Sequence, residues 1–275
     1  MGTTLLLILM PIVILSAGVF IYKFQGKKDL LHLDLVQFIY TFILAPLLFI
    51  WFKTFFFLLL KTNGSLSEQW LFILDTAFTM LLFYLYAFIV MHSLTKTFRL
   101  KSIDPLYDFF YHNEYIHLWL SHLVMLFGSI SLLVILGLLN LFLPQGIYFS
   151  RQVLIGLLLI GFVSGVVGYL TVMMADPKQQ KKRVSFTRIA KLAMGAGFLI
   201  LMTGFFIITP SFNSGYFLYW FVLTFFAGMT TMGAFSYKSP RFKARIDSWV
   251  DHLVHFDWGN NLDLFFKKSK QKEKG

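Results

Sequence analysis

Seven long apolar stretches occupy most of this 275-residue chain, and its basic residues fall almost entirely in alternate gaps between them. A helix needs about 20 apolar residues to cross a ~30 Å hydrocarbon layer. The runs 3–22, 35–60, 69–94, 115–143, 152–175, 189–209 and 216–237 all reach that length. They are continuous, without the in-and-out alternation of barrel strands. Hydrophobic residues make up 57% of the chain and charged residues 13%, whereas a soluble domain carries about 25% charged residues. The pattern predicts an all-α integral membrane protein, a bundle of seven transmembrane helices. The first run has no basic leader and no convincing cleavage site, so it reads as a retained helix.

Orientation follows from the charges. Three basic residues fall in the 23–34 gap, three in 95–114, six in 176–191 and nine after 237; the intervening gaps hold only Lys61 and Arg151. Cytoplasmic loops carry an excess of Lys and Arg. The split predicts an outside N-terminus, a cytoplasmic C-terminus and multi-pass residence in the cell (inner) membrane. The formal charge of +11 is then a signal of sidedness, and no nucleic-acid partner is expected. The absence of cysteine excludes disulfides, thiolate metal sites and a cysteine nucleophile.

Composition divides the chain into a transmembrane domain (1–237), an amphipathic cytoplasmic helix at the interface (238–258) and a polybasic, disordered tail (259–275). Phe242, Ile246, Trp249, Val250 and Leu253 fall on one helical face. Arg241, Lys243 and Arg245 flank that face, which suits a helix lying on the inner leaflet. Lys267 and Lys268 open the basic tail, drawn to anionic lipid head groups by ~1 kcal/mol per basic residue. Asp104-Pro105 combines a cap with a first-turn proline and starts a second interfacial helix. Asn63-Gly64-Ser65 fits a glycosylation sequon. Pro11 and Pro46 predict kinks in the first two spans. Gly161 and Gly165 form a GxxxG pair, which lets helices approach closely. With Gly195, Gly197, Gly204, Gly228 and Gly233 it predicts tight packing among the fifth, sixth and seventh spans, while the Phe-rich second and third fill wider gaps or face lipid.

Two full charges lie inside spans, Lys53 and Asp75. Counting 1.5 Å per residue from the helix ends puts both about 10 Å below the outer surface. The second and third helices run antiparallel, so the two can meet as an intramembrane ion pair. Ionisable residues in a bilayer are costly and commonly mark a substrate or proton site. The plainer alternative is that Lys53 snorkels outward and Asp75 bonds locally.

The histidines form a second constellation. His112, Glu114, His117 and His122 gather at the cytoplasmic start of the fourth span, level with His92 at the end of the third. Imidazole is a common metal ligand and a proton carrier, and Glu114 with His117 repeats the Glu-x-x-His spacing of di-iron bundles. Steps of five residues scatter His112, His117 and His122 around a helix. A metal or polar site would therefore use His92, Glu114 and His117 without all the other rings. Interfacial histidines that bond and anchor are the competing reading.

Seven spans with an outside N-terminus resemble microbial rhodopsins in topology, but 216–237 lacks their lysine. His117 with His122, and Val163-Ser164-Gly165, resemble pieces of rhomboid proteases without the rest of their motif. The histidine-bearing helix is similar to copper-handling oxidase-assembly factors. None of these amounts to a family assignment. No catalytic or nucleotide motif is present, so the expected function is non-enzymatic: a channel, a carrier or an accessory subunit of a membrane complex. The alternatives are a metal- or haem-binding oxidoreductase or assembly factor, and a scaffold docking a cytoplasmic partner through the basic tail. No cofactor is expected on the first reading. Expected partners are the lipid bilayer, its anionic head groups, and other membrane subunits or a second copy of the chain.

Overall fold

Peptide groups in hydrocarbon have no water to bond, so a crossing segment must satisfy its own hydrogen bonds. This chain does so with long helices. The computed structural model describes residues 33–62, 66–95, 120–146, 150–174 and 186–238, with parts of 10–30. The chain divides into two units, Met1–Gly233 and Ala234–Gly275. The first is described here, and only the end of the last helix belongs to the second.

Strand β1 (Asp29–Leu30) pairs antiparallel with β2 (Leu33–Asp34), Asp29 opposite Asp34. Asp34 then caps α1 (Leu35–Ile39), its Oδ1 accepting the Val36 N–H at 2.9 Å. A π-helical turn (Tyr40–Leu44) carries α1 into α2 (Ala45–Thr62) without a break. Pro46 explains the turn. It offers no N–H to the Phe42 carbonyl, and its ring crowds that carbonyl. Widening the helix one turn earlier, where the Ala45 N–H bonds the Tyr40 carbonyl, eases the chain past the proline.

Four long helices follow: α3 (Glu68–Thr95), α4 (Ser121–Phe142), α5 (Arg151–Met174) and α6 (Phe186–Ile208). A 3-10 turn (Ser214–Tyr216) then leads into α7 (Phe217–Lys238). Six segments are long and apolar enough to cross a membrane: Leu35–Lys61, Glu68–Leu94, Ser121–Phe142, Arg151–Val172, Phe186–Ile208 and Ser214–Phe235. The protein is therefore helical and of the multi-pass membrane class. The seventh expected span, 3–22, lies outside the described residues except for helical positions scattered over 10–21. The Asp104-Pro105 start, the sequon, the 238–258 helix beyond Lys238 and the 259–275 tail lie outside them too. The sixth span starts at Phe186, three residues ahead of its apolar run, because Arg188 can hold its charge outward from a helix end.

Aromatic residues of α2 and α3 serve both core and surface, with Phe78 of α3 buried. Phe52, Phe55 and Phe56 of α2 are buried, whereas Phe72 and Phe83 of α3 are exposed. Phe56 stacks on Phe78 of α3 with ring centroids 3.9 Å apart and planes 1° from parallel. Glycine draws α5 and α7 together. The Phe225 carbonyl lies where a Cβ on Gly165 would stand, and the Phe221 oxygen is 2.9 Å from the corresponding point on Gly161. Gly228 of α7 meets the Phe162 carbonyl reciprocally. On α6, Gly197 faces the Phe226 ring and Gly204 faces Leu141. Of the glycines expected in the packing, Gly195 meets nothing within 4 Å, and neither does Gly156 of α5, since they point away from the crossings.

Asn140 ties α4 to the start of α7. Fully buried, it donates from Nδ2 to the Gly215 carbonyl at 3.0 Å and accepts the Tyr219 N–H on Oδ1 at 3.0 Å. Tyr219 lies in the first turn of α7, where N–H groups have no partner within the helix. Its hydroxyl donates to the Leu201 carbonyl at 2.9 Å and so joins α6 to the same point.

These contacts give a paired prediction. Gly165→Ala forces a methyl into a backbone carbonyl and should cost about 1–3 kcal/mol through overpacking. Gly156→Ala meets open space and should be neutral or slightly stabilising, because alanine is the better helix former. Thermal melts of the two purified variants, compared with the parent, check the contrast.

Candidate functional site

The Lys53–Asp75 cluster is built by two antiparallel helices. Lys53 precedes the end of α2 by nine residues, and Asp75 follows the start of α3 by seven. At 1.5 Å per residue both lie roughly 10–14 Å inside the same end of the bundle. Their side chains meet: Lys53 Nζ forms an ion pair with Asp75 Oδ2. The ammonium also donates to Thr79 Oγ1 at 2.6 Å and, more weakly, to the Asp75 carbonyl at 3.3 Å. Thr79, one turn beyond Asp75, donates its own proton to that carbonyl at 2.6 Å. All three ammonium donors are thereby engaged. The carboxylate is not matched in the same way. Its Oδ1 is buried and receives no hydrogen bond. The side chains keep 34% and 23% of their surface, so the pair sits at the edge of the helix contact and not in its centre.

A second polar group lies at the other end of α3. Thr41 Oγ1 and Ser93 Oγ are hydrogen-bonded, and Ser93 Oγ donates to Gln37 Oε1 at 3.1 Å. A hydroxyl has one proton, so Thr41 is the donor to Ser93. The residue before Ser93, His92, turns to α4. Its Nδ1 shares a 3.1 Å hydrogen bond with Ser121 Oγ, and its ring lies 4.7 Å from that of His122 at 64°. His122 in turn packs edge-on to Phe186 of α6, 6.0 Å between centroids.

The sequence-derived candidates are placed unevenly. Lys53 and Asp75 are together. Of the expected polar site, His92 and His122 are together, while Glu114 and His117 lie outside the described residues. Rotation decides which residues of one helix share a face; it says nothing of which ring on a neighbouring helix they meet. Arg241, Lys243, Arg245, Lys267 and Lys268 also lie outside the described residues. Among the described residues no three His, Asp or Glu side chains gather to hold a metal. Sequence reasoning missed Thr79, Ser93 and Asn140; Ser121 was among the polar neighbours expected beside the histidines, and it bonds to His92. Two signals were available: Thr79 lies four residues from Asp75, on its face, and Asn140 is the lone amide side chain in an apolar run. No protein-family model matches this chain, and neither a curated protein nor a solved structure is similar to it.

The ion pair predicts a non-additive mutant cycle. Asp75→Asn leaves the Lys53 charge without its carboxylate and, because both side chains keep part of their surface, should cost about 1–3 kcal/mol, less than breaking a fully buried pair. Adding Lys53→Met removes the stranded charge, so the double variant should be the more stable of the two. Melting temperatures in one detergent check the order.

Proposed function

We propose that this chain is a non-enzymatic, seven-span transport protein, a carrier or channel, with the Lys53–Asp75–Thr79 cluster as its solute site. One observation carries the reading: a charged pair held between two crossing helices, with one carboxylate oxygen left unbonded. A full charge in hydrocarbon is costly enough to need a reason. A purely structural bond between helices would be served as well by neutral groups. The N-terminus lies outside and the C-terminus in the cytoplasm of a cell membrane, on the strength of the basic-residue split. Anionic lipid then holds the basic tail, with further membrane subunits or a second copy as the other partners.

Orientation has a direct test. A reporter fused after Gly275 should be active only in the cytoplasm, and one placed in the 61–68 loop only outside; the reverse would overturn the charge argument. Transport is read from proteoliposomes by osmotic swelling against small cations, anions and neutral solutes. The expected result is flux of at least one class above protein-free vesicles, lost in the Lys53→Met/Asp75→Asn protein. No flux for any class, or undiminished flux in that variant, overturns the reading.

The His92–His122 contact favours a second reading, a metal- or haem-binding redox or assembly protein. Paired imidazoles suit a transition-metal ion, and Ser121 would orient His92 as an outer-shell partner. Elemental analysis and an absorbance spectrum of the purified protein decide it. One equivalent of metal per chain, lost in both His122→Ala and His117→Ala, would replace the transport reading with this one.

A further inference from the structure

We infer that the Lys53–Asp75–Thr79 cluster selects a small hydrogen-bond-donating cation of the ammonium class, bound through Asp75 Oδ1. The inference deepens the transport reading and rests on it.

The donors in the cluster are already committed. Lys53 spends its three protons on Asp75 Oδ2, Thr79 Oγ1 and the Asp75 carbonyl. Thr79 spends its single proton on the same carbonyl. No donor is left for an anion, and an anion approaching Lys53 would meet the Asp75 carboxylate first. What remains open is an acceptor. Asp75 Oδ1 is buried without a donor, and the low-dielectric surroundings make an unmatched charged oxygen a strong one.

Access requires Lys53 to loosen its hold. The terminal torsion of an aspartate is soft, and a partial turn that lifts Oδ1 draws Oδ2 away from the Lys53 ammonium. Asp75 keeps 23% of its side-chain surface and Lys53 34%, so the exposed edge is close, and the incoming ligand's bond offsets the one that Lys53 gives up. Glu68 stands seven residues ahead of Asp75 on the same face of α3, exposed in the first turn. Its carboxylate favours cations over anions at the approach. An ammonium group fits the chemistry better than a bare alkali ion, because it donates hydrogen bonds along carboxylate lone-pair directions as Lys53 itself does.

The ligand and Lys53 then compete for one carboxylate. That competition sets the sign of a test which a structural role would not reproduce. Full-length protein in detergent is titrated with methylammonium chloride, and stabilisation is followed by thermal melting. Sodium chloride and sodium formate at equal ionic strength serve as comparisons. The expected result is a saturable rise in melting temperature with methylammonium alone. Half-saturation should fall to a lower concentration in Lys53→Met, and the rise should vanish in Lys53→Met/Asp75→Asn, a variant that strands no charge. An equal rise with sodium or formate, or a methylammonium rise that survives in the double variant, would overturn the inference. Solute flux in proteoliposomes without methylammonium binding would sink this inference alone. Methylammonium binding without flux of any solute would sink the transport reading and leave the binding site standing.

Discussion

A hydrocarbon layer gives a polar group nothing to bond to, and most of this fold is a response to that condition. Backbone amides close on themselves in helices. Where Pro46 removes a donor, the helix widens into a π turn instead of breaking. Threonines within the spans donate back one turn: Thr54 to the Ile50 carbonyl at 2.8 Å, Thr171 to Val167 at 3.0 Å and Thr203 to Leu199 at 2.9 Å. Asn140 supplies an acceptor to the open first turn of α7. Each device returns a hydrogen bond that water would otherwise provide.

With water absent on both sides of the transfer, apolar area gives helices little reason to prefer one another over lipid. Shape and specific polar contacts decide instead. The α5–α7 crossing shows the first, with Gly161 and Gly165 admitting the carbonyls of the facing helix and Gly228 returning the contact. The α2–α3 contact shows the second. There a stacked Phe56–Phe78 pair sits beside an ion pair that no lipid contact could replace.

The two polar groups on α3 differ in what they leave open. Near its end, Ser93, Thr41 and Gln37 form a chain of neutral bonds, and His92 and His122 meet next to it. Near its start, the lysine is saturated while the aspartate is not. Such an imbalance in a low-dielectric setting is costly. Local exceptions to full satisfaction of this kind are expected at functional or strained sites.

The sequence by itself was enough to indicate the class of this protein and to locate the six helices that are long and apolar enough to cross a membrane. Length and continuity of apolar runs depend on bilayer thickness and on nothing else in the fold, and the described spans fall within a few residues of those runs. It also singled out Lys53 and Asp75, because a charge inside an apolar run is conspicuous without any structure. Tertiary structure alone decided the partners. Thr79 is an ordinary residue in sequence until it bonds to Lys53, and Ser93 until it meets Thr41. Only the packing showed that Gly161 and Gly165 face α7 while Gly156 and Gly195 face open space. Identity along one helix sets which face a residue occupies. The neighbour it meets depends on how separate helices cross, and that is settled by contacts between segments far apart in the chain.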